Sequence, residues 1–219
     1  TFLQFLPGTP GRRWSQDLQG NAPVAVSGST SFFTQMSPND DRVIFNDLLA
    51  PEDRDLWVAD LNASPIGSTR VNTGANIGFG TAAWAPNGQQ IAYTADDRAS
   101  RIFELYVANM QGTTVVDRQK VHPDLPATAD VELGLNKIGY SPNGRYLAFL
   151  ADALTDRLVE LFFVDTQVAF PQPLTALSST VAPGARGVDS FLWSPNSTEL
   201  VYLADRDTPN VNELFLVSV

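Results

Sequence analysis

The sequence predicts an all-β fold: a β-propeller of four-stranded antiparallel blades, with about four blades in this chain. Three observations carry that expectation. One segment recurs four times with the same order of features, centred on Pro38, Pro86, Pro142 and Pro195. These prolines lie 48, 56 and 53 residues apart, at or just above the roughly 40 to 50 residues of a propeller blade. The apolar runs around them are short, rich in β-branched and aromatic types and bounded by turn residues, whereas a helical repeat needs apolar residues at helical spacing over a dozen positions or so. Finally, 15 Gly and 15 Pro in 219 residues leave little room for long helices.

Each unit opens on a reversal. Pro presets φ for the first corner of a turn, and Asn39, Asn87, Asn143 and Asn196 tolerate the left-handed conformation that reverses the chain, with Gly88 and Gly144 behind two of them. In the fourth copy Ser197 replaces that glycine, which predicts a looser turn. An aromatic ends the strand entering the turn at Trp84, Tyr140 and Trp193, with Met36 in the first copy. A large flat ring there fills the wedge between twisted neighbouring sheets.

A second strand follows each turn, at Val43–Phe45, Ile91–Tyr93, Leu147–Phe149 and Leu200–Tyr202. The third strands are Leu56–Asp60, Leu105–Asn109, Leu161–Asp165 and Leu214–Val217. Weaker runs at Thr69–Val71, Arg118–Val121 and Gln172–Thr175 read as outer strands, where Pro173 and charges blunt a solvent-facing edge. Val24–Val26 precedes the first repeat and reads the same way.

An aromatic, Ser-Pro-Asn-Gly, a short apolar strand, a polar loop and a Leu-Tyr-Val strand ending in an acid together resemble the TolB-like propeller repeat, itself akin to WD repeats. The likeness runs from residue 23 onward. That family usually carries Asp where this chain has Asn, a swap that keeps the turn chemistry. The resemblance implies a periplasmic or extracellular bacterial scaffold for protein contacts.

Residues 1–22 form an N-terminal segment ahead of the propeller at 23–219, whose repeats span about 36–71, 84–121, 140–175 and 193–219. The fourth repeat lacks an outer strand, and Val24–Val26 is a candidate to supply it, closing the ring. Phe2–Leu6 also resembles a third strand. The chain would then begin and end on equivalent strands, as a section of a larger ring does; a closed four-blade ring with residues 1–22 packed outside is the alternative.

Composition narrows the partners. A net charge of −10, from 24 acidic against 14 basic side chains, repels phosphate backbones and anionic lipid heads, so nucleic acid is not expected. No apolar stretch has the length of a spanning helix, so neither is membrane insertion. With no cysteine there are no disulfides and no thiolate metal ligands.

Catalytic chemistry finds little support. The Gly-x-Ser-x-Gly nucleophile elbow does not occur, and His122, the single histidine, precedes Pro123 and Asp124 in what reads as a surface loop. One histidine without cysteine makes a zinc site improbable. Asp205–Asn210 with Glu213 superficially resembles a calcium loop, but Asn210 stands where Gly is wanted and Arg206 supplies a local counter-charge. No cofactor is expected. Asn62-Ala63-Ser64 and Asn196-Ser197-Thr198 match the glycosylation acceptor pattern and read as turn residues.

A recurring acid pair is more informative. Asp47, Asp96, Asp152 and Asp205 close the second strands, and Asp55, Glu104, Glu160 and Glu213 open the third. Structurally, such carboxylates accept backbone N–H bonds, with Arg54, Arg101, Arg157 and Arg206 nearby as partners. Functionally, they form an acidic ring attractive to a basic peptide or cation. The longest connections, Asn72–Ala83, His122–Lys137 and Ala176–Phe191, emerge on that same face, which is therefore the candidate interaction surface.

The expectation is a non-catalytic scaffold binding a protein or peptide. Two alternatives stand beside it: the propeller domain of a prolyl oligopeptidase-like hydrolase whose catalytic domain lies outside this chain, and a multimer or fibre joined through incomplete terminal blades.

Overall fold

The structure, a computed structural model, describes residues 2–5, 13–16, 24–26, 34–50, 53–72, 79–96, 102–134, 136–178 and 182–219, with backbone alone at 2–5, 13–16, 24–25, 34, 47–50, 53–54 and 79–80. The strands among them form five antiparallel sheets. The first holds β1 (Phe2–Phe5), β2 (Arg13–Gln16) and β3 (Val24–Ala25). The second holds β4 (Thr34–Met36), β5 (Arg42–Ala50), β6 (Asp53–Asp60) and β7 (Ser68–Arg70). The third holds β8 (Phe79–Trp84), β9 (Gln90–Ala95), β10 (Glu104–Gln111) and β11 (Thr114–Lys120). The fourth comprises β12 (Ile138–Tyr140), β13 (Tyr146–Ala151) and β14 (Glu160–Asp165); the fifth, β15 (Val188–Trp193), β16 (Glu199–Ala204) and β17 (Glu213–Ser218). In each sheet the strands pair in chain order, and the four repeats are sheets two to five. This is a section of a β-propeller.

The core lies between sheets. Alternate residues of a strand point to opposite faces, so β13 sends Leu147 and Phe149 into a layer shared with Ala92, Leu105 and Val107 of the third sheet. Its Ala148 and Leu150 enter a layer shared with Phe191, Leu200 and Tyr202 of the fifth. Burial on both faces is why these strands read as unbroken apolar runs rather than as alternation. The three aromatics and Met36 that end the first strands pack between sheets as expected: Trp84 and Tyr140 are buried in such layers, while Trp193 and Met36 pack against them. Inner strands also meet directly. The Trp84 amide donates to Gln35 Oε1 at 3.1 Å, and Trp193 Nε1 donates to the Gly139 carbonyl at 3.0 Å.

The third and fourth reversals share one bonding pattern. Ser141 Oγ accepts the Tyr146 amide and donates to Asn143 Oδ1, which also accepts the Arg145 amide; Ser194 and Asn196 repeat this with Glu199 and Thr198. The left-handed residue is not the asparagine but its successor: φ is 56° at Asp40, 67° at Gly88, 74° at Gly144 and 63° at Ser197. Asn87, Asn143 and Asn196 instead serve through their side-chain oxygens, each accepting the amide two residues on. The fourth turn is not looser, since Ser197 is buried and its Oγ accepts the Asn143 amide of the neighbouring sheet at 3.0 Å.

Two expectations need correction, and one strand was missed. Val24–Ala25 pairs with β2 and leaves the fifth sheet three-stranded among the described residues, so it does not complete the last blade. Phe2–Phe5 is a strand and pairs with Arg13–Gln16, the strand the sequence pattern did not reveal. Gln172–Thr175 is not a strand. Pro171 and Pro173 flank Gln172 and lack amide donors, and the Gln172 side chain takes over instead: its Oε1 accepts the Asp165 amide at 3.2 Å and its Nε2 donates to the Asp165 carbonyl at 2.7 Å.

Candidate functional site

The acid pairs prove to be internal fasteners. Both members of each pair lie eight residues apart, which is the length of the loop between second and third strands in the third, fourth and fifth sheets; in the second, Asp47 and Asp55 face each other across the β5–β6 ladder. In the fourth sheet Asp152 accepts the amide of Arg157 and Glu160 accepts that of Leu154, at 3.3 and 3.2 Å. The fifth repeats this, Asp205 taking Asn210 at 3.0 Å and Glu213 taking Asp207 at 3.3 Å. Arg157 and Asn210 are left-handed, at φ 63° and 64°, which turns their N–H groups back toward the aspartates.

These aspartates also hold the long connection that precedes their own sheet's first strand. Asp152 accepts the Asp130 amide at 2.6 Å, and Asp205 Oδ1 accepts those of Arg186 and Gly187, both at 2.8 Å. Burial works to raise the Asp205 pKa, but the amides of Asn210, Gly187 and Arg186 outweigh it and hold the carboxyl below the usual range. For Glu160 burial wins, and its carboxyl is raised.

In the other sheets, Asp55 accepts from Arg70 Nη2 at 2.6 Å and Asn72 Nδ2 at 3.0 Å, and Glu104 from Tyr106 Oη at 3.1 Å and Lys120 Nζ at 3.3 Å. Asp55, Asp96, Glu104 and Asp205 are buried, so they do not form an open acidic ring; the Asp47 side chain lies outside the described residues. The arginines also differ from expectation. Arg157 and Arg206 pair with their sequence neighbours Asp156 and Asp207, while Arg101 and the Arg54 side chain lie outside the described residues. With the Asp205 oxygens facing backbone amides, the calcium-like segment presents N–H dipoles where a cation needs lone pairs.

His122 is fully buried rather than on a surface loop. Its Nε2 accepts the Leu105 amide at 3.0 Å, so Nδ1 carries the proton and meets the Pro123 carbonyl at 2.7 Å. Burial lowers its pKa. The imidazole is held from both ends by backbone and stacks on Phe149 with centroids 6.0 Å apart, a structural commitment.

What the loop face offers is a cleft of about 540 Å³ between the fourth and fifth sheets. Part of the His122–Lys137 connection supplies Glu132 and Lys137, the Ala176–Phe191 connection supplies Arg186 and Asp189, and the loop after β16 supplies Asn210 and Asn212. Glu132 is half-buried, and among the described residues its carboxylate meets no donor. Burial raises its pKa, Lys137 opposes that, and Asp152 and Asp130 add to it. Lys137 Nζ donates to the Asp189 carbonyl. The exposed Arg186 guanidinium has no partner among the described residues. Two of the long connections expected on this face line the cleft, but sequence reading singled out neither Glu132 nor Arg186. The only local signal is an arginine one residue after Gly184-Ala185 and directly before Gly187, in a stretch otherwise lacking charge. Residues 73–78 and 179–181 of the long connections expected on this face lie outside the described residues.

No protein-family model matches the chain, and no curated protein matches it in sequence. Solved structures do match in fold. A TolB of Agrobacterium tumefaciens superposes with a TM-score of 0.60 at 12% identity, over 97% of this chain and 72% of that one. A puromycin hydrolase gives 0.63 at 15% identity, over 99% of this chain but 33% of its own. Prolyl oligopeptidase B from Galerina marginata gives 0.64 at 14%, over 98% and 31%. The chain thus spans about a third of the length of the two hydrolases. At such identities the likeness is one of fold, and it agrees with the radial packing of the sheets.

Proposed function

We propose that this chain is a non-catalytic propeller scaffold that binds a peptide segment of a protein partner on its loop face. The observation that carries this reading is the cleft between the fourth and fifth sheets, where the half-buried carboxylate of Glu132, with no hydrogen-bond donor among the described residues and Lys137 as its nearby counter-charge, lines one concavity with the guanidinium of Arg186. A half-desolvated carboxylate without a donor is costly, and a basic side chain or ammonium group from a ligand would offset that cost, while Arg186 takes an acidic group bidentately. The engagement of His122 with backbone on both ring nitrogens supports a role without catalysis. The TolB likeness favours a periplasmic or extracellular setting.

A display library of random peptides selected on the purified chain tests this. Enriched sequences should carry a basic and an acidic residue close together, and their affinity should fall at least tenfold in both Glu132→Gln and Arg186→Ala. Selection of peptides indifferent to both substitutions would reject the cleft as the site.

A second reading has its own support. Puromycin hydrolase and prolyl oligopeptidase B cover 99% and 98% of this chain with about a third of their length, so the chain also fits the role of a propeller domain attached to a hydrolase. Cleavage of peptides by the gene's full-length product, but not by this chain, would favour it.

A further inference from the structure

We infer that the cleft between the third and fourth sheets, at the turn end of their strands, binds one neutral sugar ring. The site is independent of the peptide reading: β14 runs from Glu160 at the loop face to Asp165 at the turn end, and the peptide cleft opens beside the first of these. On the face of the third sheet turned to the fourth, Ala92 and Val107 are cross-strand partners and enter the layer shared with Leu147 and Phe149. Two residues on along β10 the same face carries a polar row instead, Asn109 flanked by Gln90 of β9 and Asp117 of β11. Gln90 Nε2 donates to Asn109 Oδ1 at 2.8 Å, and Asp117 Oδ2 accepts from Asn109 Nδ2 at 3.2 Å and from Gln119 Nε2 at 2.7 Å. The carboxylate thus orients three amides, two directly and Gln90 through Asn109. Opposite stands the turn from Thr166 to Phe170, which is also held. Thr166 Oγ1 lies 2.9 Å from the carbonyls of Gly144 and Arg145, and Gln172 Nε2 donates to the Val168 carbonyl at 3.0 Å. Between the two walls opens a cleft of about 330 Å³.

The lining selects the ligand. No charged side chain lines this cleft, whereas charges line both the loop-face cleft and another between the second and third sheets, at Asp41, Arg42 and Asp60. An ionic ligand would bring a charge that no lining group pairs. A side-chain amide has one carbonyl and two N–H donors, and Gln90, Asn109 and Gln119 make no other side-chain hydrogen bond among the described residues. The carbonyls of Gln90 and Gln119 and one N–H on each of the three amides are therefore left for a ligand. Hydroxyls answer such a mixed set, because each both donates and accepts. On the other wall Val168, 54% exposed, and Phe170 offer carbon surface to the C–H face of the ring. The volume is at the small end of ligand clefts, room for a single ring. An extended peptide, at about 3.3 Å per residue, would leave most of its side chains outside. Both walls are fixed by internal bonds, which lowers the ordering cost of binding.

NMR titration of the purified chain with the methyl glycosides of glucose, galactose, mannose and N-acetylglucosamine, up to about 100 mM, tests this. At least one should shift the side-chain amide signals of Gln90, Asn109 and Gln119, with a dissociation constant on the order of 1–10 mM. Gln119→Ala and Val168→Asp, both at exposed positions on opposite walls, should each weaken that sugar at least fivefold. Acetylated and amidated triglycine, a neutral peptide backbone without side chains, should move the same signals at least tenfold more weakly. Silence of the three amides toward all four glycosides overturns the inference. So does sugar affinity that neither substitution changes, or triglycine binding as tight as the best glycoside.

Discussion

His122 holds in the third sheet the place that Asn72 holds in the second: each accepts the amide of a leucine in the first half of the third strand, Leu105 for His122 and Leu56 for Asn72, at 3.0 and 2.8 Å. In both cases the preceding residue, Val121 or Val71, donates its own amide to that leucine's carbonyl. Ser178 completes the series on Leu161 at 3.1 Å, with Leu177 as the preceding residue. Three different side chains satisfy one recurrent demand, an N–H of the third strand that no further backbone pairing reaches. His122→Asn therefore keeps the acceptor and should destabilise less than His122→Ala, which orphans the Leu105 amide at about 1–3 kcal/mol. Urea denaturation of the two variants decides the order.

The same histidine gives stability a pH dependence. Burial lowers its folded pKa below the ordinary 6.5, so the unfolded chain takes up a proton first as pH falls. The contribution is complete above about pH 6.5 and is lost progressively as pH drops from there toward the folded pKa. His122→Asn removes the titrating group, so the difference in unfolding midpoint between wild type and variant should shrink as pH falls from about 7.5 to about 5.5. A difference constant over that range would show that this imidazole does not titrate on unfolding.

Arg42 should prove a clamp between the second and third sheets. Its Nη1 donates to the Gly112 carbonyl and its Nη2 to the Gly88 carbonyl, each at 2.8 Å, while Nε meets Asp41 and the guanidinium lies 5.0 Å from the Trp84 ring centre. Two turns of one sheet are thus tied to one arginine of another. Arg42→Ala should cost about 2–3 kcal/mol. Arg42→Lys should recover less than half of that, because an ammonium lacks the planar fork that spans both carbonyls. Thermal unfolding of both variants measures this.

The repeat was legible because propeller packing writes itself into sequence. Strands buried on both faces become short apolar runs, and each turn needs Pro, Asn and a left-handed successor. The outer strands were less so, since a partly exposed edge constrains few positions; at Gln172 a side-chain amide replaces backbone pairing, which periodicity cannot detect. Strand β2, Arg13–Gln16, has no apolar alternation to announce it. The acid pairs were visible as a pattern, but their burial was not, because Asp55 and Glu104 depend on Arg70, Asn72 and Lys120, which chain reversal alone brings alongside. Arg186 and Glu132 are 54 residues apart in sequence and meet at one cleft only through the packing of two blades.

Asp205 is the knot that shapes that cleft. It holds three backbone amides, from Arg186, Gly187 and Asn210, and so fixes the loop that carries Arg186 against the one that carries Asn212. Asp205→Asn keeps the size but replaces a charged acceptor pair with one neutral oxygen and an N–H group that faces other N–H groups, a loss of about 1–3 kcal/mol. Because the folded pKa lies below that of the unfolded chain, the wild-type advantage should be full above about pH 4 and fade as pH falls through the folded value. Comparing urea midpoints of the two proteins at about pH 7 and about pH 3 tests both the size and the sign.

Gly187, the neighbour Asp205 holds, has no room for any side chain. A Cβ built there would stand 2.0 Å from the Val159 carbonyl oxygen and 2.9 Å from its carbon, and the residue sits at φ 95°. Val188 donates its amide to that same carbonyl at 2.8 Å, and Val159 donates to Arg186 at 2.9 Å, so the two segments run in contact between the fourth and fifth sheets. Backbone on both sides means that no rotamer change relieves the overlap. Gly187→Ala must push the segments apart, which breaks the bonds to Val159 and adds the strain of a positive φ, together at least about 3 kcal/mol. An alanine at Gly184, where φ is 87° but nothing lies within 4 Å of the built Cβ, carries the conformational strain alone. The difference in unfolding free energy between Gly187→Ala and Gly184→Ala therefore isolates the cost of opening the cleft floor, and variants equally stable by urea denaturation would show that the segments do not make this close approach.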